Sequence, residues 1–396
     1  MSDMFKERIR FPMPVEELHR RHAAVKAAME KQGIDMLLMS NDNQYLGGYI
    51  RYFTDNPAGH AYPISVMFEK TGEITTIGMG TPSKAAFPPE WHAAVVTNRI
   101  GSPYFRSLDY TNRYDADIIV DLIKKKNIRK LGLVGMGMLG YYMVSSIKER
   151  TNVELVNATP LVDKIKAVKS PTELEFVKMS VKMHEESIDF VKSILRPGMF
   201  EYELHAELAR WLKVYGSEEQ LLILMSQTGS VPHIIPRFYQ NRQINKGDYI
   251  TLLNESSGPG GFYCEIARTY VLGEPSKAAV EAAHIARDLQ HWSASMLKPG
   301  VHANTILKKY NARLKEMGIP PEERLYIHGQ GYDLVEMPGF GEEDETILEA
   351  GMFISIHPAI DVPGGTHAYV CEDYLITETG AELQMTKHKQ ELVIIE

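Results

Sequence analysis

The spacing of apolar and polar residues divides the chain into alternating helical and extended segments. Residues 14–32, PVEELHRRHAAVKAAMEKQ, carry the period of an amphipathic helix, and Gly33 follows where a C-cap belongs. The apolar run IDMLLMS reads as a strand. NDNQYLGGYIRYFTDNPAGHAYP, rich in turn formers and aromatics, reads as a polar loop. PISVMFE, the turn KTGE and ITTIGM read as a hairpin. A helix over 115–126, a strand at KLGLVGMG and a strand at NVELVN complete this half. Strands alternating with helices predict an α/β domain over residues 1–162.

The pattern changes at DKIKAVKSPTELEFVKMSVKMHEESIDFVKSIL. Ser170-Pro171-Thr172-Glu173 is a helix start, with Ser as N-cap, Pro at N1 and Glu at N3. That helix ends at Arg196-Pro197-Gly198-Met199, and a second covers about 201–215. Strands at 221–226, 248–254 and 261–272 follow, with a Gly-rich turn between the last two. Helices near 276–298 and 303–317 precede a tail of short strands, GMFISIHPAI and THAYVCEDYLIT. These elements predict an α+β domain over residues 163–396.

Composition narrows the function classes. The 396 residues are ample for a large core, and 44% hydrophobic with 24% charged is ordinary globular usage. A formal charge of -8 argues against nucleic-acid or anionic-membrane partners. No apolar run approaches the roughly 20 residues of a membrane helix, and MSDMFKERIRF has no signal-peptide core. Two cysteines, Cys264 and Cys371, make no disulfide framework. A soluble, cytoplasmic protein is expected. Gly135-Met-Gly137-Met-Leu-Gly140 matches G-x-G-x-x-G, but it follows a late strand of its layer. It reads as a tight strand-to-helix turn rather than a dinucleotide site.

Four segments carry a family resemblance. DKIKAVKSPTELEFVKMS resembles the helix that opens the catalytic domain of prolidase-like proteins. GDYITLLNESSGPGGFYCEIARTYVLGEPS resembles their "GD-hydrophobic-D-x-G…GY…D-x-T-R-T-F…G". HGQGYDLVEMP resembles "GHGIG…HE-P", and GMFISIHPAI with CEDYLITETG resembles "GM-hydrophobic-EP" and "E-D-hydrophobic-V-T-x-x-G". Order and spacing agree over residues 163–396. The chain resembles the pita-bread superfamily of methionine aminopeptidases, prolidases and creatinases. The resemblance implies a pita-bread catalytic domain behind a creatinase-type N-terminal domain.

The resemblance also implies five metal-ligand positions, normally two Asp, one His and two Glu. Here they fall on Asn254, Glu265, Gln330, His357 and Glu372. Only Glu372 is unchanged, and carboxylates drop from four to two. A dinuclear site needs carboxylates to bridge and balance two cations, so none is expected. A single divalent metal at Glu265, His357 and Glu372 is the alternative.

Creatinase, which resembles this frame without metals, hydrolyses a C–N bond with a histidine acid/base. The matching residue is His233, in SVPHIIPRF. The expected catalytic set is His233, Glu265, His357 and Glu372, with His357 and Glu372 as a possible acid/base dyad. Asn254, Gln330, His328, Tyr332 and Arg268 are expected to bind substrate. Tyr49, Arg51 and Phe53 match residues that, in creatinase-like homodimers, reach from the N-terminal domain into the partner's pocket. Adjacent strand residues point to opposite faces, so Cys264 and Cys371 are expected to point away from the site. The leading reading is a metal-independent, cofactor-free hydrolase of C–N bonds in a small polar carboxylate-bearing compound. Alternatives are a lyase removing a proton α to a carboxylate, an Xaa-Pro peptidase-like protein with residual or single-metal activity, and a non-catalytic binding module.

Overall fold

The computed structural model describes residues 9–82, 95–234 and 241–396; most of the N-terminal stretch read above for a signal lies outside them. The chain divides into two compact units, residues 1–166 and 167–396.

The first unit is built on six strands: β1 (Met36–Asn41), β2 (Ile64–Glu69), β3 (Ile74–Met79), β4 (Asn98–Ser102), β5 (Lys130–Leu133) and β6 (Glu154–Asn157). Their order is β4-β3-β2-β1-β5-β6. Helices α1 (Val15–Gln32), α2 (Gly48–Thr54), α3 (Tyr114–Lys125), α4 (Tyr141–Arg150) and α5 (Thr159–Ala167) accompany the sheet. Met36, Leu38, Met67, Ile77, Ile119, Ile123, Leu131 and Ile147 form one apolar cluster. Gly135, at φ +64°, begins a single 3-10 turn that leads into α4, the tight strand-to-helix turn that the sequence predicts.

The stretch read as a polar loop contains α2, whose Ile50, Tyr52 and Phe53 are buried. This helix has only seven residues and no side-chain N-cap, and aromatic and β-branched residues are weak helix formers. Burial of its apolar side chains, a tertiary effect, holds it.

The second unit opens with α6 (Pro171–Ile194), whose N-terminus has the predicted capping box. Glu173 N donates to Ser170 Oγ at 3.1 Å, and Ser170 N donates to Glu173 Oε2 at 2.7 Å. Such a cap contributes about 1 kcal/mol. Next come α7 (Glu201–Tyr215), β7 (Gln220–Thr228), β8 (Asp248–Ser257), β9 (Tyr263–Leu272), α8 (Lys277–Ser295) and α9 (Asn304–Glu316). The tail supplies β10 (Ile327–Gly329), β11 (Phe353–Ile356), β12 (Ala359–Asp361), β13 (His367–Tyr369), β14 (Glu372–Thr377), β15 (Gly380–Leu383) and β16 (Val393–Ile395).

These strands make two four-stranded sheets, β16-β9-β8-β7 and β10-β11-β14-β15, and the ribbon β12-β13. Helix α6 lies on the first sheet, where Asn254 reaches Ser187 and Cys264 Sγ reaches Val177 O. Helices α8 and α9 cover the second, with Ala286, Leu289, Ile306 and Tyr310 clustered against Ile354, Ile356, Tyr374 and Ile376. The β8–β9 turn packs closely on α6: a Cβ on Gly260, at φ +81°, would lie 2.2 Å from the Phe176 ring. No helix among the described residues is long and apolar enough to cross a membrane.

Candidate active site

Ladder register decides which side chains meet. In β8 and β9, Glu255 pairs with Glu265 and Asn254 pairs with Ile266. Directly opposed residues share a face and neighbours alternate, so Glu255, not Asn254, lies beside Glu265. The second sheet follows the same logic. Ser355 pairs with both His328 and Asp373, whereas Ile356 pairs with Glu372. His357 follows Ile356 and therefore returns to the Ser355 face.

The two faces meet in a buried polar cluster. Ser355 Oγ donates to Glu265 Oε2 at 3.1 Å, and Gln330 Nε2 approaches the same oxygen at 3.4 Å. The Glu265 amide donates to Asp373 Oδ2 at 2.9 Å. His328 Nε2 lies 3.5 Å from Glu265 Oε2, and the His328 and His357 rings meet edge-on at 5.1 Å. Ligand-type atoms of Glu265, His328 and His357 all fall within 4.8 Å of one another. His328 Nδ1 lies 3.0 Å from Gly329 O, and its Nε2 faces Glu265.

Electrostatics sort the carboxyls. Burial pushes the Glu265 carboxyl up, but His357, itself protonated in acid, and the His328 contact outweigh it and bring Glu265 down to about 2. Burial, then the Glu265 and Asp373 charges, push Glu255 well above the ordinary carboxylate range. Burial likewise raises Asp373, against the bond from the Glu265 amide. His357 is lowered to about 4 by burial, opposed by Glu265, so it is neutral at pH 7.

Several sequence expectations change here. Asn254 lies on the helix-covered face, bonded to Ser187 Oγ at 3.3 Å and Ser256 Oγ at 2.7 Å. Glu372 is on that side too, in a buried ion pair with Arg268. His357 and Glu372 are therefore no dyad, and Arg268 is engaged by Glu372 rather than open to substrate. His328, expected only as a substrate contact, takes the place in the donor group that had been given to Glu372. His233 is exposed and paired with Asp361 at 3.2 Å, not placed among the buried donors.

Tyr332 is buried against Phe262, with ring centroids 4.2 Å apart. Cys264 points toward α6 as expected, but Cys371 is on the inner face, its Sγ 3.3 Å from Ser355 Oγ. Burial raises both thiols well above their usual range, which leaves no thiolate nucleophile. Glu336, adjacent to the motif, is held by Lys169 at 3.0 Å.

In the first unit, Arg51 is buried and paired with Asp55 at 3.0 Å. Phe53 is buried against His22 and Phe68, and Tyr49 Oη donates to Asp163 at 2.6 Å. Arg51 and Phe53 are thus packed inside their own unit. Sequence reasoning missed Glu255, Ser355, Asp373 and His184. The last has Nδ1 2.8 Å from Ser180 O, and burial lowers it to about 4.

The donor set fits one divalent cation. Both ring nitrogens of His357 are buried without a hydrogen-bond partner, as are Gln330 Oε1 and Asp373 Oδ1. Unpaired buried polar atoms of this kind are open to a ligand. Two imidazoles and a carboxylate suit zinc or iron, and the His328 Nδ1 bond to a backbone carbonyl is the usual outer support of a ligating imidazole.

The buried Glu265, His328 and His357 cluster, between two helix-covered sheets of an α+β frame, is a group that could hold a metal ion. The comparisons with known proteins agree with that reading. Residues 175–378 match the metallopeptidase family M24, and the chain belongs to this family. It is 26% identical over 276 residues to an Xaa-Pro dipeptidase of Pyrococcus furiosus, spanning 68% of this chain and 76% of the relative. An Xaa-Pro dipeptidase structure from Bacillus anthracis superposes with TM-score 0.75 at 24% identity, over 96% of this chain and 100% of the other. An X-Pro aminopeptidase from Thermotoga maritima gives 0.78 at 18% identity, over 94% and 99%. The pita-bread fold expected from the sequence is the fold of the chain.

Proposed function

We propose that the protein hydrolyses a C–N bond in small peptide-like substrates with one divalent cation held by Glu265, His328 and His357. The observation that carries this reading is His357, a neutral imidazole with two unpartnered buried nitrogens beside an ionised carboxylate. The relatives' Xaa-Pro dipeptidase activity favours an amide bond in a short substrate. Metal independence, the leading expectation from the sequence, gives way to its single-metal alternative, with His328 in place of Glu372.

A bound cation of this kind polarises a carbonyl oxygen or lowers the pKa of water. The chain's own residues supply the rest. Ser355 and Gln330 orient the Glu265 carboxylate through Oε2. Gln330 Oε1, buried and unpartnered, accepts a hydrogen bond from a substrate N–H. Burial, then the Glu265 and Asp373 charges, push the Glu255 carboxyl well above its ordinary range and so favour its protonated form. That proton is available to the departing amine nitrogen.

The test is metal and product analysis of the full chain. About one equivalent of zinc, manganese or cobalt should bind at the buried cluster and be lost in His357→Ala. An Xaa-Pro and general dipeptide panel should yield free amines. Equal metal content in wild type and His357→Ala, or turnover that survives complete chelation, overturns the reading.

A further inference from the structure

Among the described residues a second group of metal-capable side chains converges, sharing no residue with the buried cluster. Asp361 and His367 are register partners on the β12–β13 ribbon. His367 Nδ1 lies 3.1 Å from Asp361 Oδ1, and His233 brings Nε2 to 3.2 Å from the same oxygen. The two imidazoles stack with centroids 3.9 Å apart. Ligand-type atoms of all three lie within 4.8 Å of one another.

We propose that His233, Asp361 and His367 bind one divalent transition-metal cation on the protein surface, through His233 Nε2, His367 Nδ1 and an Asp361 oxygen. The donor set is the first reason. Two imidazoles and a carboxylate suit zinc, copper, nickel or iron, and poorly suit magnesium or calcium. Preorganisation is the second. The ladder fixes Asp361 against His367, and the His367 ring is buried while its partners face solvent, at 62% side-chain exposure for His233 and 60% for Asp361. Both ring nitrogens already aim at one oxygen, so a cation there replaces two N–H bonds without moving the backbone. Bound, the cation ties the 231–234 segment to the ribbon and leaves its remaining positions open to solvent.

Cobalt reads the two sites apart. The full chain, stripped with chelator and dialysed against Co2+, should hold two equivalents. Asp361→Asn combined with His367→Gln should remove one equivalent and its visible absorption while leaving the other. His233→Gln alone should weaken that class at least tenfold. His357→Ala should remove only the buried equivalent, so failure of either site is seen separately. The thermal midpoint of each variant, read in chelator, checks its fold. Cobalt content and affinity unchanged in both the surface double variant and His233→Gln would overturn the proposal.

Discussion

Arg268 and Glu372 form a buried ion pair on the helix-covered side of the second unit, with side-chain exposures of 3% and 0%. Burial raises the Glu372 carboxyl, and the guanidinium opposes that rise. The pair commits Glu372 Oε1 to Arg268, and the ladder puts Glu372 on the strand face opposite Ser355. Removing Arg268 leaves the buried Glu372 carboxyl, already raised to about 7, without its partner. Arg268→Met is expected to destabilise by about 3–5 kcal/mol, and Arg268→Met with Glu372→Leu to recover most of it. Denaturant unfolding measures both. A loss below about 1 kcal/mol in the single variant contradicts the pairing.

Asn254→Asp separates register from alignment. The sequence position is a ligand Asp in the resembled family, so the substitution looks like a restoration. In the structure it places a charge on the wrong face, where Asn254 now donates to Ser187. Stability should fall by about 2–3 kcal/mol. Cation stoichiometry should not rise, and a gained equivalent of metal in dialysis would show that residue 254 does reach the cluster.

Glu255→Gln tests the proposed proton source. Glutamine is nearly isosteric with a protonated Glu, so the fold should hold. Loss of the proton should lower kcat by about 10²–10⁴ with a smaller effect on KM. Unchanged kcat removes Glu255 from proton transfer.

The first unit should carry a pH-dependent stability of its own. Burial lowers His22 to about 4 from 6.5, against its bond to Phe53 O. The folded state therefore prefers the neutral ring, and the unfolded chain binds more protons between those values. This contribution is fully present above pH 6.5 and is lost as pH falls through 4, about 3 kcal/mol over the window. His22→Asn should flatten the fall in stability between pH 7 and 4. The same slope in the variant assigns the dependence to other groups.

The fold was largely legible from the chain. Apolar periodicity located most helices and strands, and the Ser170–Glu173 cap was readable residue by residue because it is local. Helix α2 was not, since burial rather than propensity holds it. The site was legible as a set of segments but not as a set of side chains. Glu265, Gln330, His328 and His357 were all singled out, and the structure brings them together. Asn254 and Glu372 were singled out with them, and the structure turns them away. Sequence determines that a strand alternates with period two. It does not determine the register against the neighbouring strand, and a one-residue difference moves every side chain to the other face. That register, set by the β8–β9 turn on α6 and by the packing of two sheets, is what tertiary structure alone decided. It put Glu255 beside Glu265 and Arg268 on Glu372.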